Sequence, residues 1–245
     1  MEAKTVRIGL ISDVHSNLPA LQAVLDDMRS VDAVWCLGDI VGYGPFPNEC
    51  IDLLRQVDCL AIPGNHDWGC TGKISLEDFN VDARWACEWA RSVVAPENLG
   101  YLETLPLTRT EGDFSLAHGT PHEPIWEYMA YPSTARLSFH YFAGRYCLVG
   151  HTHVPLVFLE AGQQAETFHP GPNAPLKLDS TRAIINPGSV GQPRDGNPQA
   201  AYAIIDTEQA SIEFRRVAYD IAAIQARMQE LRFPERLIKR LAYGW

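Results

Sequence analysis

Over the first sixty residues of the chain, short continuous apolar runs alternate with segments in which apolar residues recur at the spacing of a helix. Three short apolar runs are typical of buried strands, and the segments between them carry apolar residues at helical spacing. Strands are predicted at 6–12, 33–37 and 59–62, and helices over 18–28 and 47–56. Asn17 is positioned as the N-cap of the first helix, with Pro19 in its first turn. This β-α-β-α-β order predicts a parallel sheet.

The pattern becomes mainly helical between residues 71 and 145, which indicates an insertion into the α/β core. Within 107–119, Gly112 is predicted to turn two short strands, and Ser133 or Thr134 is predicted to cap the last helix. The helical segments are expected around Val81, Trp85 and Trp89, over 98–105, and over 132–143.

Strand-like runs separated by Gly and Pro clusters follow a run that ends at residue 149. They are predicted at 156–160, 165–169, 182–186, 201–206 and 212–219. The Pro- and Gly-rich segment 169–180 is interpreted as a surface loop, and a final helix is predicted to begin near Asp220. We expect a single domain spanning 1–245.

Composition and charge limit the partners that the chain can have. The chain has 245 residues, of which 46% are hydrophobic, so it can form a sizeable core. Lys and Arg total 20 against 30 Asp and Glu, a net charge of −10. This balance argues against broad attraction to nucleic acid or to anionic membranes.

The targeting and cysteine patterns favour a cytoplasmic protein. The N-terminal sequence has neither a long apolar run nor a small-residue cleavage site, and no stretch approaches the roughly 18 apolar residues of a membrane span. The six cysteines include no C-x-x-C pair, so we expect reduced and mostly packed thiols rather than a zinc site or a disulfide framework.

Polar side chains able to bind metals follow five of the predicted strands. Because ligand sites in open α/β sheets form at the carboxyl ends of strands, the five loops are expected to converge on one crevice. In an extended backbone, His151 and His153 would point to the same side. The loops contain Asp13 and His15, then Asp39, then Asn65, His66 and Asp67, then His118, and finally His151 and His153.

Two carboxylates, four histidines and an amide oxygen form a mixed nitrogen and oxygen donor set without thiolate. This set suits Mn²⁺, Fe, Ni²⁺ or Zn²⁺, and it is too large for one tetrahedral ion, so two metals are indicated. Each residue also has an ordinary interpretation when it is taken alone. Asp13 could form a turn, Asn65 could form an Asx-turn, and His118 could be structural.

Five short motifs occur in an order that resembles the calcineurin-like metallophosphoesterase superfamily. The family pattern is D-x-H, G-D-x-x-x-x-G, G-N-H-D/E, a later His, and G-H-x-H. The matching blocks stand at 13–15, 38–44, 64–67, 118–119 and 150–153. The resemblance covers roughly the first 200 residues, and 186–194 is similar to the segment that follows in compact bacterial phosphodiesterase-like members.

The resemblance implies an α/β fold: a four-layer αββα sandwich of two mixed β-sheets flanked by helices, with a helical insertion. We expect the insertion, 71–145, to contribute to the substrate pocket. The family also implies two divalent metal ions, for which we expect Mn²⁺, with Fe, Ni²⁺ or Zn²⁺ as alternatives.

The roles of the site residues follow from the resemblance, position by position. It implies a first metal bound by Asp13, His15 and His153, a second bound by Asn65, His118 and His151, and Asp39 as the bridge between them. His66 would stabilise the transition state or protonate the leaving oxygen, and Asp67 would orient His66. Tyr43 and Arg194 are candidate substrate contacts.

The expected function is a phosphoesterase dependent on a dinuclear metal centre, which hydrolyses a phosphodiester by attack of a metal-bridging hydroxide. The expected partner is a small phosphate-ester substrate, with neither extended nucleic acid nor a membrane, and a homo-oligomer is left open. The alternatives are a phosphomonoesterase or nucleotide phosphohydrolase, a DNA-processing nuclease, or a non-catalytic scaffold like the phosphoesterase-like subunit of retromer. Residues 38–44 lack the arginine of G-D-x-V-D-R-G, which counts against protein serine/threonine phosphatases and dinucleoside tetraphosphatases.

Overall fold

The computed structural model describes residues 6–245, which form twelve strands and eight helices. The strands are β1 (Arg7–Ile11), β2 (Ala33–Cys36), β3 (Leu60–Ala61), β4 (Arg109–Glu111), β5 (Phe114–Leu116), β6 (Tyr146–Leu148), β7 (Leu156–Ala161), β8 (Gln164–Phe168), β9 (Pro175–Lys177), β10 (Ala183–Asn186), β11 (Ala200–Asp206) and β12 (Ser211–Val217). The helices are α1 (Leu18–Asp27), α2 (Pro47–Gln56), α3 (Asn65–Thr71), α4 (Val81–Val93), α5 (Pro96–Thr104), α6 (Pro132–Ser138), α7 (Ile221–Glu230) and α8 (Glu235–Arg240).

The strands form two six-stranded mixed sheets. The first has the order β3-β2-β1-β11-β12-β9 and the second has the order β4-β5-β6-β10-β7-β8. β1, β2 and β3 are parallel, as their β-α-β connections predict, whereas β11 runs antiparallel to β1. In the second sheet, β6 pairs in parallel with both β5 and β10, and β7 runs antiparallel to β10.

The two sheets pack face to face and bury one apolar layer between them. Because side chains alternate along a strand, Ile8 and Leu10 of β1 enter this layer and meet residues of the second sheet such as Leu148 and Ile185. The opposite face of the first sheet packs on α1 and α2, and that of the second sheet packs on α6. The predicted four-layer αββα sandwich is therefore confirmed.

Local sequence accounts for the close packing of α1 on β1. A Cβ at Gly9 would lie 2.5 Å from Met28 Sδ, so a side chain at this position of β1 would displace the C-terminal end of the helix. At the other end, Asn17 Oδ1 accepts a hydrogen bond from the Ala20 N–H at 3.2 Å, and Pro19 stands in the first turn. The Asn17 cap and the position of Pro19 in the first turn agree with the prediction from the sequence. They fix the helix start directly after the β1 loop.

The segment 169–180 is not a loop throughout, because it contains β9. This three-residue strand pairs antiparallel with β12 at the edge of the first sheet. It begins with Pro175, which has no N–H to donate, and prolines in sheets are confined to edges and strand starts. The Pro-rich composition concealed a strand that is short, at an edge and largely exposed.

Helix α6 begins differently from the prediction, and helix α8 was not predicted. α6 begins at Pro132 with Tyr131 as its N-cap and no side-chain hydrogen bond, so the predicted cap at Ser133 or Thr134 is wrong. Proline fits the first helical turn because its missing N–H would have no helical partner there. α8 was not predicted, because its six residues are too few for a period to be visible; Leu237 packs it into a core with α4 and α7.

Helix α3 was not predicted, and α6 ends at Ser138 rather than at residue 143, but other features agree with the sequence. Residues 71–145 contain α4, α5 and α6, and the β4-β5 hairpin turned at Gly112 forms an edge of the second sheet. All six cysteines are free thiols, and Cys59 alone is only partly buried. None of the helices in residues 6–245 has the length and apolar character needed to cross a bilayer.

Candidate metal centre

The five polar loops meet in one cleft at the carboxyl ends of β1, β2, β3, β5 and β6. The metal-ligand candidates among them are almost fully enclosed, because none is more than 4% exposed. The cleft brings together all seven of these residues, which are Asp13, His15, Asp39, Asn65, His118, His151 and His153.

One group of ligand atoms is formed by Asp13, His15, Asp39 and His153, whose donor atoms lie within 4.8 Å of one another. Asp13 Oδ1 is 3.3 Å from His153 Nε2, and Asp39 Oδ2 is 3.6 Å from His15 Nε2. The Nε2 atoms of His15 and His153 are 3.1 Å apart. These distances leave one small volume that all four donors face.

A second group shares Asp39 and adds His118 and His151. His118 Nε2 lies 3.4 Å from Asp39 Oδ2 and 3.2 Å from His151 Nδ1. Asn65, at the start of α3, has a buried Oδ1 with no hydrogen-bond partner among the described residues. Asp39 therefore stands between two groups of donors, in the position of a bridge.

Each of the four histidines is held by a backbone carbonyl on the nitrogen that faces away from the cleft. Because a carbonyl only accepts hydrogen bonds, that nitrogen carries the proton and the other presents its lone pair to the cleft. The pairs are His15 Nδ1 to Val41 O at 3.1 Å, His118 Nδ1 to Leu37 O at 2.7 Å, His153 Nδ1 to Gln192 O at 2.6 Å, and His151 Nε2 to Trp126 O at 3.2 Å.

This donor set fits divalent cations on electrostatic grounds. The lone pairs of His15 and His153 face each other at 3.1 Å beside carboxylates, an arrangement that a cation would stabilise. Within residues 6–245, Asp13 Oδ1 and Asn65 Oδ1 are buried without a donor, and an unpaired buried oxygen costs about 1–3 kcal/mol. Imidazole and carboxylate donors without sulfur suit Mn²⁺, Fe, Ni²⁺ and Zn²⁺.

Ionisation in the cleft is strongly perturbed by burial. Burial and the nearby Asp39 charge raise the pKa of Asp13 to about 7. Burial lowers the pKa of His151 to about 3 and holds the pKa values of His15 and His153 well below their usual range.

His118 and Asp39 are shifted against the effect of burial. Burial alone would lower the pKa of His118, but the Asp39 carboxylate raises it to about 9. Burial likewise opposes the charge on Asp39, whose pKa is nevertheless held well below its usual range by His118 and His66. A proton on His118 and a metal ion would therefore compete for the same lone pair.

The backbone at the cleft is left-handed at several non-glycine positions. His151 and His153 have φ of 66° and 61°, so the expected extended conformation of this pair is wrong. Their imidazoles still converge, because the tight turn after β6 brings Thr152 N–H to Gly150 O at 2.7 Å. Asp13, His15 and Asp39 also have positive φ, of 54°, 47° and 53°. Such conformations cost roughly 1–2 kcal/mol each and cluster at functional sites.

Close approach of two loops explains the glycines that precede Asp39 and Asn65. A Cβ at Gly38 would lie 2.5 Å from Gly64 N, and a Cβ at Gly64 would lie 2.1 Å from Asp39 Oδ1. Any side chain at either position would separate the loops after β2 and β3. The two glycines therefore keep Asp39 and Asn65 in the same cleft.

His66 lines the cleft beside the donor groups, but Asp67 does not orient it. The carboxylate of Asp67 accepts hydrogen bonds from the N–H groups of Ile40, Val41 and Gly64 at 3.3, 3.0 and 2.9 Å. His66 Nδ1 instead lies 3.3 Å from Cys87 Sγ. Burial lowers the pKa of His66 to about 4, so its ring is neutral at pH 7. The structure therefore corrects the role implied for Asp67, which fastens the Asp39 loop to α3.

A cavity of about 170 Å³ opens onto the donor groups, and Tyr43 and Arg194 both line it. Arg194 Cζ lies 5.7 Å from the centre of the Tyr43 ring, and Arg194 donates to Gln192 Oε1 at 2.9 Å. Arg240 of α8 lies at the same distance from the Tyr43 ring. Two arginines therefore flank Tyr43, and Arg194 lines the cavity together with Asp78.

Sequence reasoning missed the aromatic wall of the cavity, which consists of Phe79, Trp126 and Tyr128. Tyr128 stacks on His151 with ring centres 4.0 Å apart, and Trp126 meets Phe79 edge to face at 4.9 Å. Trp126 also supplies the carbonyl that holds His151. No local motif marks these residues, nor Cys87 and Arg240, because packing between distant segments brings them to the cleft.

The comparisons with known proteins all indicate one family. Residues 6–210 match the model of the calcineurin-like phosphoesterase superfamily domain. The chain is 44% identical over 245 residues to an uncharacterized protein of Methanocaldococcus jannaschii, with 97% of this chain and 98% of that protein covered. It is 26% identical over 221 residues to phosphodiesterase YfcE of Escherichia coli, with 84% and 91% covered.

A solved structure is similar over the whole chain. The crystal structure of a metallophosphoesterase from Sphaerobacter thermophilus has a TM-score of 0.91 and 48% sequence identity. The alignment covers 99% of this chain and 100% of that one. The family model, the curated relatives and the fold therefore agree.

Proposed function

Because the chain belongs to the calcineurin-like phosphoesterase superfamily, we propose that it hydrolyses a small phosphodiester with two divalent metal ions. The observation that carries the proposal is the position of Asp39 between two sets of buried donors. A shared carboxylate is the group that holds two cations close enough to act on one phosphate.

We propose a division of the donor residues between the two ions. In this proposal, Asp13, His15 and His153 hold one ion, Asn65, His118 and His151 hold the other, and Asp39 binds both. Bound ions would polarise the phosphoryl oxygens and supply an activated water at neutral pH. We propose Mn²⁺ as the ion, with Fe, Ni²⁺ or Zn²⁺ as alternatives; imidazole and carboxylate donors without thiolate are compatible with each of them.

The remaining groups of the cleft bind and orient the ester. His66 is neutral and faces the cavity, so it would donate a hydrogen bond to an oxygen of the reacting phosphate. Arg194 would bind a phosphate oxygen through a charge-assisted hydrogen bond, and Tyr43 would pack beside it. These roles explain why polar groups and a cation surround a cavity in a chain of net charge −10.

The cavity supports a small substrate rather than an extended polymer. Its volume is about 170 Å³, and its wall of Phe79, Trp126 and Tyr128 comes from residues 71–145, which we propose as the segment that shapes the substrate pocket. Preference for a diester is supported by the similarity to a protein described as a phosphodiesterase. A cytoplasmic location is supported by the six free cysteines.

The function is tested by measuring hydrolysis of bis(p-nitrophenyl) phosphate and of p-nitrophenyl phosphate by the purified protein, with Mn²⁺ and with a chelator. We expect turnover of the diester that requires the metal and exceeds turnover of the monoester. Preference for the monoester would favour the phosphomonoesterase alternative. Absence of turnover of either ester, in protein shown to carry two ions, would contradict the proposal and favour a non-catalytic scaffold.

A further inference from the structure

The imidazole of His66 is held by a thiol. His66 stands in the first turn of α3 and is 3% exposed. Its Nδ1 lies 3.3 Å from Sγ of Cys87, a residue of α4 that is fully buried. Among the described residues, Cys87 supplies the only side-chain hydrogen bond to this ring.

The surroundings of the ring leave little room for another partner. A Cβ at Gly42 would lie 2.3 Å from His66 Nδ1, so any side chain at this position would displace the ring. The ring also lies 4.4 Å from the Tyr43 ring, 4.9 Å from the His15 ring and 5.4 Å from the Phe79 ring, measured between centres. Gly42 and the Cys87 thiol therefore lie against Nδ1, and three further rings surround the imidazole.

The thiol is a neutral partner for the ring. Burial raises the pKa of Cys87 far above its ordinary value, so the group is a neutral S–H at pH 7. The sulfur lies 3.3 Å from His66 Nδ1 and 3.9 Å from His66 O. Donation of the S–H to the nearer atom, Nδ1, would leave the proton of the neutral imidazole on Nε2. No residue in 6–245 hydrogen-bonds Nε2, and His66 lines the cavity.

We infer that Cys87 is a positioning residue whose S–H donates to His66 Nδ1 and so fixes the tautomer and rotation of the ring, with Nε2–H donating a hydrogen bond to an oxygen of the bound phosphate ester. This inference rests on the proposed function, because it names the group that orients one residue of the same cleft. Unlike a carboxylate partner, a neutral thiol does not stabilise an imidazolium. The device therefore yields a hydrogen-bond donor at neutral pH and requires no proton transfer from the ring.

A double-mutant cycle separates positioning from structural effects. Cys87→Ala is expected to lower kcat for bis(p-nitrophenyl) phosphate about fivefold to tenfold, the scale of one hydrogen bond, with KM and metal content unchanged. Cys87→Ser keeps a donor and is expected to restore most of this loss. In a His66→Gln background, Cys87→Ala is expected to have no further effect on kcat, because the group it positions is gone.

The matched control is Cys50→Ala, which removes an equally buried thiol of α2 that packs in the apolar core with α1 and, among the described residues, makes no hydrogen bond to His66. It is expected to leave kcat within twofold to threefold of the parent protein, about the size of a structural effect. Equal losses from Cys87→Ala in the parent and His66→Gln backgrounds, or a loss no larger than that of Cys50→Ala, would overturn the inference.

A spectroscopic measurement of the His66 tautomer tests the inference independently of enzyme activity. In ¹⁵N spectra of histidine-labelled protein, His66 is expected to show an unprotonated Nδ1 and a protonated Nε2, and Cys87→Ala is expected to mix the two tautomers. An unchanged tautomer in Cys87→Ala would refute the role of the thiol even in an active enzyme. If the parent protein has no metal-dependent hydrolysis but the tautomer changes as expected, the proposed function fails and the positioning contact stands.

Discussion

Replacement of Asp39 by asparagine removes one charge from the centre of the cleft while it keeps the shape of the side chain. Asp39 Oδ1 accepts the His66 N–H at 2.8 Å, a bond that the amide oxygen of asparagine preserves. Oδ2 lies 3.4 Å from His118 Nε2 and 3.6 Å from His15 Nε2, between the two donor groups. The substitution is therefore expected to act on metal binding more than on the fold.

The size of the effect follows from the position of the carboxylate. Removal of a residue that only hydrogen-bonds to a metal ligand lowers metal affinity or activity about 10–100-fold. A shared ligand contacts both ions directly, so Asp39→Asn is expected to lower the affinity for the second ion by at least about 100-fold, or about 2.7 kcal/mol. Hydrolysis of the diester should fall in parallel.

The assay is metal stoichiometry by elemental analysis, together with kcat/KM and the unfolding temperature of the same samples. The control is Asp67→Asn, an equally buried carboxylate that accepts three backbone N–H groups. It should lower the free energy of unfolding by about 1–3 kcal/mol while two ions stay bound. Two tightly bound ions and full activity in Asp39→Asn would refute the bridging role.

Three further predictions test other groups. His66→Gln should retain two ions while kcat falls about 100-fold or more, as measured by elemental analysis and steady-state kinetics; unchanged turnover would contradict the role of His66. Removal of metal by a chelator should lower the unfolding temperature by several degrees, because ions present at 100 times their Kd add about 2.7 kcal/mol to stability; an unchanged scanning-calorimetry trace would count against buried ions. Arg194→Ala should raise KM for the diester about tenfold or more, and a KM equal to that of the parent protein would exclude phosphate binding by this guanidinium.

The regular elements near the site could be predicted from the sequence because their signals are local. The apolar runs of β1 and β2 and the helical spacing in α1 each lie within about ten residues, and the Asn17 cap is read from adjacent positions. The short edge strand β9 and the six-residue α8 were missed, because neither is long enough to show a period. Their stability comes from pairing and packing with distant elements.

The candidate site likewise contains residues that local sequence motifs predict and contacts that only the folded chain shows. Its donor residues follow strand ends in recognisable motifs, so the sequence predicts their convergence. The orientation of His66 depends on the contact of α3 with α4, 21 residues later, and no motif encodes the 3.3 Å approach of Cys87. The family resemblance implied that Asp67 orients His66, yet the turn of the helix directs its carboxylate to the N–H groups of the Asp39 loop.

The central claim is that Asp39 joins two metal sites in one cleft. The most direct measurement is a crystal structure of the Mn²⁺-loaded protein with anomalous scattering data collected at the manganese edge. We expect two anomalous peaks roughly 3.5–4 Å apart on either side of Asp39, one beside His153 and the other beside His118. A single peak, or peaks away from Asp39, in fully loaded protein would contradict it.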